Sequence, residues 1–165
     1  MARKYCSGLT KEMLLNWGIT DIKYLPDFGY ERSEIDRDNW WIDRFWYTSG
    51  KNTTKKHKRL RVHKAVCKHK YTSDKYYFII TFSIGTKIMS LPLARVIYAW
   101  FVGPIADGEV IDHKDNNPFY NHPTNLQKLS VGENLAKRYT DNINCNLNQY
   151  TTEKYKTEHN KNEIQ

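Results

Sequence analysis

The sequence has no long run of hydrophobic residues: they make up 39% of its 165 positions, and its mean hydropathy is -0.77. A membrane-spanning helix needs about 20 consecutive apolar residues, and a secretion signal needs a shorter apolar stretch behind a basic N-terminus. The sequence contains neither pattern. We therefore expect a protein that has no membrane partner and works in the cytoplasm.

Cysteine is scarce as well. The three cysteines, Cys6, Cys67 and Cys145, are odd in number and far apart, which favours reduced thiols over a disulfide framework. His63, Cys67 and His69 suggest a zinc site, but no fourth ligand accompanies them at the paired spacing of structural zinc sites. The sequence therefore disfavours a zinc-stabilised fold, including a zinc-stabilised RNA-binding module.

Acidic residues are nearly absent from the middle of the chain. Residues 51–100 hold twelve Lys and Arg against one Asp or Glu, whereas the whole chain has a net charge of +8. Concentrated positive charge attracts polyanions and releases their counterions, so nucleic acid is the expected partner. A charge run is more often a solvated surface, but the length and purity of the run at 51–70 favour phosphate contact. The residues expected to make these contacts include Lys55, Lys56, Lys58, Arg59, Arg61 and Lys64.

The densest chemistry lies at residues 110–138. Val110 and Ile111 predict a short strand that ends at Asp112 and His113, and turn-forming residues follow at 115–118. A second alternating run at 126–129 predicts another strand. Ser130 and Glu133 then match a capping box, in which the two side chains bond each other's backbone N–H groups. This places Asn134 in the first full turn of a helix.

Two residues of this stretch have side chains suited to one hard cation. A carboxylate oxygen of Asp112 and an amide oxygen of Asn134 are the ligand types that Mg²⁺ prefers, with water and substrate phosphate completing its shell. His113, next to Asp112, is then placed to take a proton from an attacking water. His122 is a weaker candidate, because a histidine in a loop is more often solvated or structural than a ligand.

The order of these residues resembles the pattern of HNH (ββα-metal) endonucleases, especially phage and intron-encoded homing enzymes. The resemblance rests on the following residues: Asp112, His113, Asp115, Asn116, Asn117, Asn121, Asn125, Leu126, Glu133 and Asn134. It implies that His113 is the general base, that Asn125 constrains the loop, and that Asp112 and Asn134 hold one Mg²⁺ or Mn²⁺ ion per active site. Asn134 stands where most of the family has His, a variant found in the phage branch.

The resemblance extends back through a predicted helix at residues 90–102, for which Ser90 is the expected cap. Its expected apolar stripe consists of Val96, Ile97, Trp100 and Phe101. By resemblance, Arg95 on this helix contacts DNA phosphate, with a surface or structural salt bridge as an equal alternative. Residues 76–84 predict a strand that turns at Gly85 and pairs back as a hairpin. The aromatic cluster at 40–47 favours a small core over base stacking.

Together these patterns predict an α+β fold in which short N-terminal strands and a hairpin lead into a compact ββα-metal (HNH) nuclease module. The expected regions are a basic and aromatic DNA-contacting region at 1–89, the nuclease module at 90–140, and a polar tail or DNA-contacting arm at 141–165.

The expected function is a metal-dependent DNA endonuclease of homing or nicking type that leaves 5′-phosphate and 3′-hydroxyl ends. Its partner would be double-stranded DNA, with no obligatory protein partner, in the host cytoplasm if a phage encodes it. The alternative is a non-catalytic DNA-binding protein on an HNH-like fold, such as a phage regulator. The Asp112 and His113 pair argues against this alternative, because a binding module has no need of a base beside a metal ligand.

Overall fold

A computed structural model describes residues 7–33, 35–48, 54–67 and 75–140. The chain divides into two compact units, Met1–Lys128 and Leu129–Gln165. The strands are mostly antiparallel and the helices are few, in agreement with the expected mixture of helix and strand. No helix in the described part of the chain is long and apolar enough to cross a membrane.

The first sheet has the strand order β1 (Ile19–Tyr24), β2 (Trp40–Tyr47) and β3 (Lys55–Leu60), all antiparallel. Helix α1 (Lys11–Asn16) precedes it, and its first turn is capped where the Met13 amide donates to Thr10 Oγ1 at 3.2 Å.

The junction between α1 and β1 requires glycine at position 18. Gly18 has φ of +86°, and a Cβ there would lie 1.9 Å from the Phe45 carbonyl oxygen. The sheet can therefore approach α1 this closely only because this position has no side chain.

The second sheet has the order β4 (Val62–Cys67), β5 (Lys75–Ile84) and β6 (Lys87–Pro92), again antiparallel. The hairpin between β5 and β6 turns at Gly85, where φ is +57°, and confirms the prediction made from the apolar run. The prediction that Ser90 caps the next helix is wrong. Ser90 lies within β6 with its hydroxyl 3.2 Å from that of Thr81, and α2 (Leu93–Phe101) begins directly after Pro92.

Pro92 is the N-cap of α2, with φ of -57° and ψ of 132°, and it makes no side-chain cap hydrogen bond. Of the residues predicted to form the apolar stripe of α2, Val96 and Ile97 are buried, whereas Phe101 is 47% exposed and does not belong to the stripe.

One core runs through both sheets and α2. It includes Leu14 from α1, Ile42 from the first sheet, Ile80 from the second sheet, Ile97 from α2, and Leu126. Residues on the two sides of the expected boundary between 89 and 90, as far as Leu126, therefore share the same core.

The aromatic cluster at 40–47 contributes to this core only in part. Trp40 is buried and packs against Tyr24 with 4.8 Å between ring centroids, whereas Tyr47 is 68% exposed. The core interpretation therefore holds for the start of β2 and not for its end.

Strands β7 (Glu109–His113) and β8 (Leu126–Ser130) form a two-stranded sheet and confirm the two strands predicted from the sequence. A short 3₁₀ helix, Pro123–Asn125, leads into β8. In the second unit, helix α3 covers 131–140 and begins at the expected capping box. The Ser130 amide donates to Glu133 Oε2 at 2.7 Å, and the Glu133 amide donates to Ser130 Oγ at 3.1 Å. Residues 141–165, for which a tail or arm is predicted, lie outside the described residues.

Candidate functional site

The end of β7 carries the two residues at the centre of the sequence prediction. Asp112 and His113 are both half-buried at the C-terminal end of the strand. Oδ2 of Asp112 accepts a hydrogen bond of 2.8 Å from Nε2 of Gln127 on β8. Gln127, which no sequence motif marks, therefore fixes the orientation of the carboxylate across the sheet.

The loop after β7 is held by the side chain of Asn125, which is only 8% exposed. Its Nδ2 donates to Asp115 Oδ1 at 2.9 Å and to the Tyr120 carbonyl at 2.8 Å, and its Oδ1 accepts from the Asp115 amide at 3.3 Å. Asn116 adopts the left-handed conformation with φ of 61°, which asparagine tolerates better than most residues. The role of loop constraint proposed for Asn125 is in keeping with this geometry.

The carboxyl of Asp115 responds to the same contacts. Partial desolvation alone would raise its pKa, but the hydrogen bonds from Asn125 and from the Asn117 amide, together with the charge of His113, hold the pKa below its usual value. Asp115 is therefore the ionised acceptor on which the loop is built.

The imidazole of His113 is oriented by a residue of the same loop. Its Nε2 lies 3.1 Å from Oδ1 of Asn121, whose side chain is almost completely buried at 1% exposure. Nδ2 of Asn121 lies 3.3 Å from Oδ2 of Asp36 and 3.3 Å from the Phe119 carbonyl, both of which act as acceptors. Asn121 thus links His113 to a carboxylate from the N-terminal part of the chain.

Asp36 belongs to a 3₁₀ helix, Asp36–Asn39, which precedes β2. No local motif in the sequence marks Asp36, because its partner Asn121 lies 85 positions away. The sequence does show acidic residues in a short turn before Trp40. This pattern does not indicate a functional residue, because acidic residues are common in solvated turns outside any site.

Asn134, the second expected metal ligand, lies in α3 of the second unit. Within the described residues, no group of three or more His, Cys, Asp and Glu side chains is arranged to hold a metal ion. The expected pair, Asp112 and Asn134, contains only one residue of these four types. This absence therefore does not test the pair as metal ligands, and the pair stays a prediction. Of the possible zinc ligands, the side chain of Cys67 and the whole of His69 lie outside the described residues.

The predicted DNA-contacting residues occupy two exposed strands. Lys55, Lys56, Lys58 and Arg59 are exposed on β3, and Lys64 is exposed on β4. Several of them lie over aromatic rings: the Arg59 guanidinium lies 2.9 Å from the Trp41 ring centroid, and Lys64 Nζ lies 4.3 Å from that of Tyr76. Arg61, between the strands, is exposed as well. The run therefore presents its charge to solvent, as phosphate contact requires.

Arg95 differs from the other predicted DNA contacts. It is only 7% exposed, and its guanidinium donates to the backbone carbonyls of Glu109, at 3.1 Å, and of Ser7. An arginine in this position stabilises the junction between α2, the N-terminus and β7. These contacts with backbone carbonyls give Arg95 a structural role, and its contact with DNA phosphate stays a prediction.

A cleft of about 280 Å³ opens beside the loop. Its walls include Arg32, Lys64 and the rings of Phe119 and Tyr120, and the Arg32 guanidinium lies 5.1 Å from the Tyr120 ring centroid. The surface next to the site is therefore basic and aromatic, which suits a nucleic acid strand.

The comparison with family models is consistent with this geometry. Residues 93–136 match the HNH endonuclease family model. The matched segment runs from the start of α2 through β7, the loop and β8 into α3, and covers about a quarter of the chain. No curated protein and no solved structure matches the chain. The match to an HNH endonuclease domain suggests nuclease activity and implies nucleic acid binding.

Proposed function

We propose that the protein is a metal-dependent endonuclease that hydrolyses phosphodiester bonds of double-stranded DNA, of the homing or nicking type that phages and introns encode. The observation that carries the proposal is the position of His113. It lies at the end of β7 beside Asp112, within the HNH match, and its Nε2 is fixed by a buried asparagine.

The donor set fits Mg²⁺ or Mn²⁺. The Asp112 carboxylate, with one oxygen held by Gln127, and the Asn134 amide oxygen are both hard oxygen ligands. A bound cation would stabilise the negative charge that develops on the phosphate and on the leaving 3′ oxygen.

His113 supplies the base in the proposed reaction. Its Nδ1 takes a proton from a water molecule, whose oxygen forms a bond to the phosphorus while the bond between phosphorus and the 3′ oxygen breaks. The 3′ oxygen takes a proton from solvent. The products carry 5′-phosphate and 3′-hydroxyl ends.

The experiment that tests this function is plasmid cleavage by the full-length protein, with Mg²⁺ and with EDTA. We expect relaxed or linear DNA only with the cation. His113→Ala should lower the cleavage rate by about 10²–10⁴-fold, the usual contribution of a general base, with unchanged DNA affinity.

His63→Ala is the matched control, because His63 is an exposed histidine of β4 outside the HNH match. Because His63 lies within the basic run at 51–70, the comparison uses saturating DNA, at which this variant should cleave at the wild-type rate. Binding of DNA without cleavage in any cation would instead support the non-catalytic DNA-binding alternative.

A further inference from the structure

A buried carboxylate from outside the HNH match contacts the residue that orients His113. Three N–H groups converge on Oδ2 of Asp36: the Asn121 amide at 2.9 Å, Asn121 Nδ2 at 3.3 Å and Trp40 Nε1 at 3.2 Å. Asp36 is 8% exposed, Trp40 4% and Asn121 1%. Water therefore has little access to these hydrogen bonds, and each of them restricts the side chains that it joins.

These contacts determine which end of the Asn121 amide faces His113. Nδ2 points at Asp36 Oδ2 and at the Phe119 carbonyl, which both accept hydrogen bonds, so the NH₂ group must lie on that side. Oδ1 then faces Nε2 of His113 at 3.1 Å. Because an amide oxygen only accepts, Nε2 must carry the proton, and the lone pair of the neutral imidazole is on Nδ1.

Without Asp36 the amide of Asn121 loses one of the two acceptors that fix its orientation and keeps the Phe119 carbonyl at 3.3 Å. A rotation by about 180° around the last side-chain bond exchanges the oxygen and nitrogen positions with little change in shape. Nδ2 would then face Nε2 of His113 and favour the tautomer with its proton on Nδ1. In that tautomer Nδ1 has no lone pair with which to accept a proton from water.

We propose that Asp36 is a positioning residue that fixes the tautomer of His113 through Asn121. The inference rests on the proposed function, in which Nδ1 of His113 is the general base. It adds a residue of the 3₁₀ helix before β2, which lies outside the HNH match, to the residues that support catalysis.

The direct test is the tautomer itself, measured in the full-length protein without DNA. Two-dimensional ¹⁵N NMR of the imidazoles, at a pH at which they are neutral, distinguishes the protonated from the unprotonated nitrogen. His113→Gln assigns the signal. We expect protonated Nε2 in the wild type and a mixture of tautomers in Asp36→Ala. Asp36→Asn, which keeps one acceptor oxygen, should restore the wild-type pattern.

Asp38→Ala is the matched control, because Asp38 lies in the same 3₁₀ helix but its carboxylate is exposed beside Arg37, at 3.3 Å. It should leave the signals of His113 unchanged. If Asp36→Ala does not fold, Asp36→Val removes the acceptor with a smaller change in volume. A wild-type tautomer in a folded Asp36 variant without an acceptor would overturn the proposal.

Cleavage kinetics provide the second measurement. Asp36→Ala and Asn121→Ala should each lower kcat by about 10- to 100-fold, the range found when residues that orient a metal-ligating histidine are removed, with KM for DNA unchanged. Because Asp36 acts through Asn121, the double variant should cleave no more slowly than Asn121→Ala alone. Additive losses would contradict this order of action.

Failure of the inference and failure of the proposed function give different results. If the wild type does not cleave DNA, the nuclease proposal fails, and the NMR measurement still decides whether Asp36 fixes the tautomer. If the wild type cleaves and a folded Asp36→Ala variant cleaves equally fast, the nuclease proposal stands and the role of Asp36 is refuted.

Discussion

At the residue scale, the loop between β7 and β8 depends on amide side chains, which can donate and accept at the same time. Asn125 bonds Asp115 and the Tyr120 carbonyl, and Asn121 joins His113 to Asp36. An ionised carboxylate or an ammonium group offers only one of the two functions. An Asp in place of either asparagine would leave its acceptor partners without a donor.

Low pH should destabilise the folded protein by protonating the carboxylate of Asp115. Its pKa is lower in the folded chain than its ordinary value of 3.8. The stabilisation is therefore complete above about pH 4 and is lost as the pH falls through the lower, folded pKa. Asn125→Ala removes a main hydrogen bond behind this shift, so the variant should lose less stability between pH 5 and pH 2 than the wild type. Urea unfolding at several pH values measures the difference, and parallel pH curves would contradict the prediction.

Asn134 should set the cation preference of the proposed site. An amide oxygen is a neutral hard ligand that does not titrate, whereas imidazole prefers softer ions. Asn134→Ala should raise the Mg²⁺ concentration needed for half-maximal cleavage, with partial rescue at high Mg²⁺. Asn134→His should keep activity and shift the preference towards softer metals. An unchanged Mg²⁺ requirement in Asn134→Ala would show that this residue is no ligand, and Asn125 would be the next candidate.

At the scale of elements, the sequence predicted those whose ends are marked by local chemistry. The hairpin at Gly85, the strands that end at His113 and Ser130, and the capping box of α3 are all present. Strands β3 and β4 were not predicted, because lysine is rare in strands and five successive residues of β3 are exposed, which hides the alternation typical of a strand. Each is formed by pairing with a neighbouring strand along the chain, β3 with β2 and β4 with β5.

The capping box gives a prediction for α3. Ser130→Ala removes the acceptor of the Glu133 amide, and loss of such a cap costs a helix about 1 kcal/mol. The first turn of α3, which carries Asn134, should then exchange its amide hydrogens faster, and cleavage should require more Mg²⁺. Ser130→Thr keeps the hydroxyl and serves as the control. Equal exchange rates in Ser130→Ala and the wild type would show that the cap does not limit the helix.

At the scale of the whole molecule, charge and catalytic chemistry occupy different parts of the sequence. The HNH match covers 93–136, whereas the positive charge is concentrated at 51–70, a run that includes the strands β3 and β4. The sequence revealed both features separately. It did not reveal the link from Asp36 to Asn121 or the burial of Arg95, because both depend on contacts between residues far apart in the chain.

The exposed run on β3 should supply much of the affinity for DNA. Each phosphate contact that is lost should reduce the slope of log K against log salt concentration by about 0.9. Replacing Lys55, Lys56, Lys58 and Arg59 together by Ala should therefore flatten the slope, which fluorescence anisotropy with a labelled duplex measures. Lys11→Ala with Lys23→Ala, which removes two charges outside the run, should have a smaller effect.

The alternation of a strand allows a sharper version of this experiment. Lys55 and Arg59 lie on one face of β3, over the rings of Phe45 and Trp41, while Lys56 and Lys58 lie on the other. A phosphate backbone that follows one face contacts only that pair. One of the two double alanine variants should therefore account for most of the change in slope. Equal small changes from both pairs, with no larger effect from all four substitutions, would show that the run is a solvated surface and that DNA binds elsewhere.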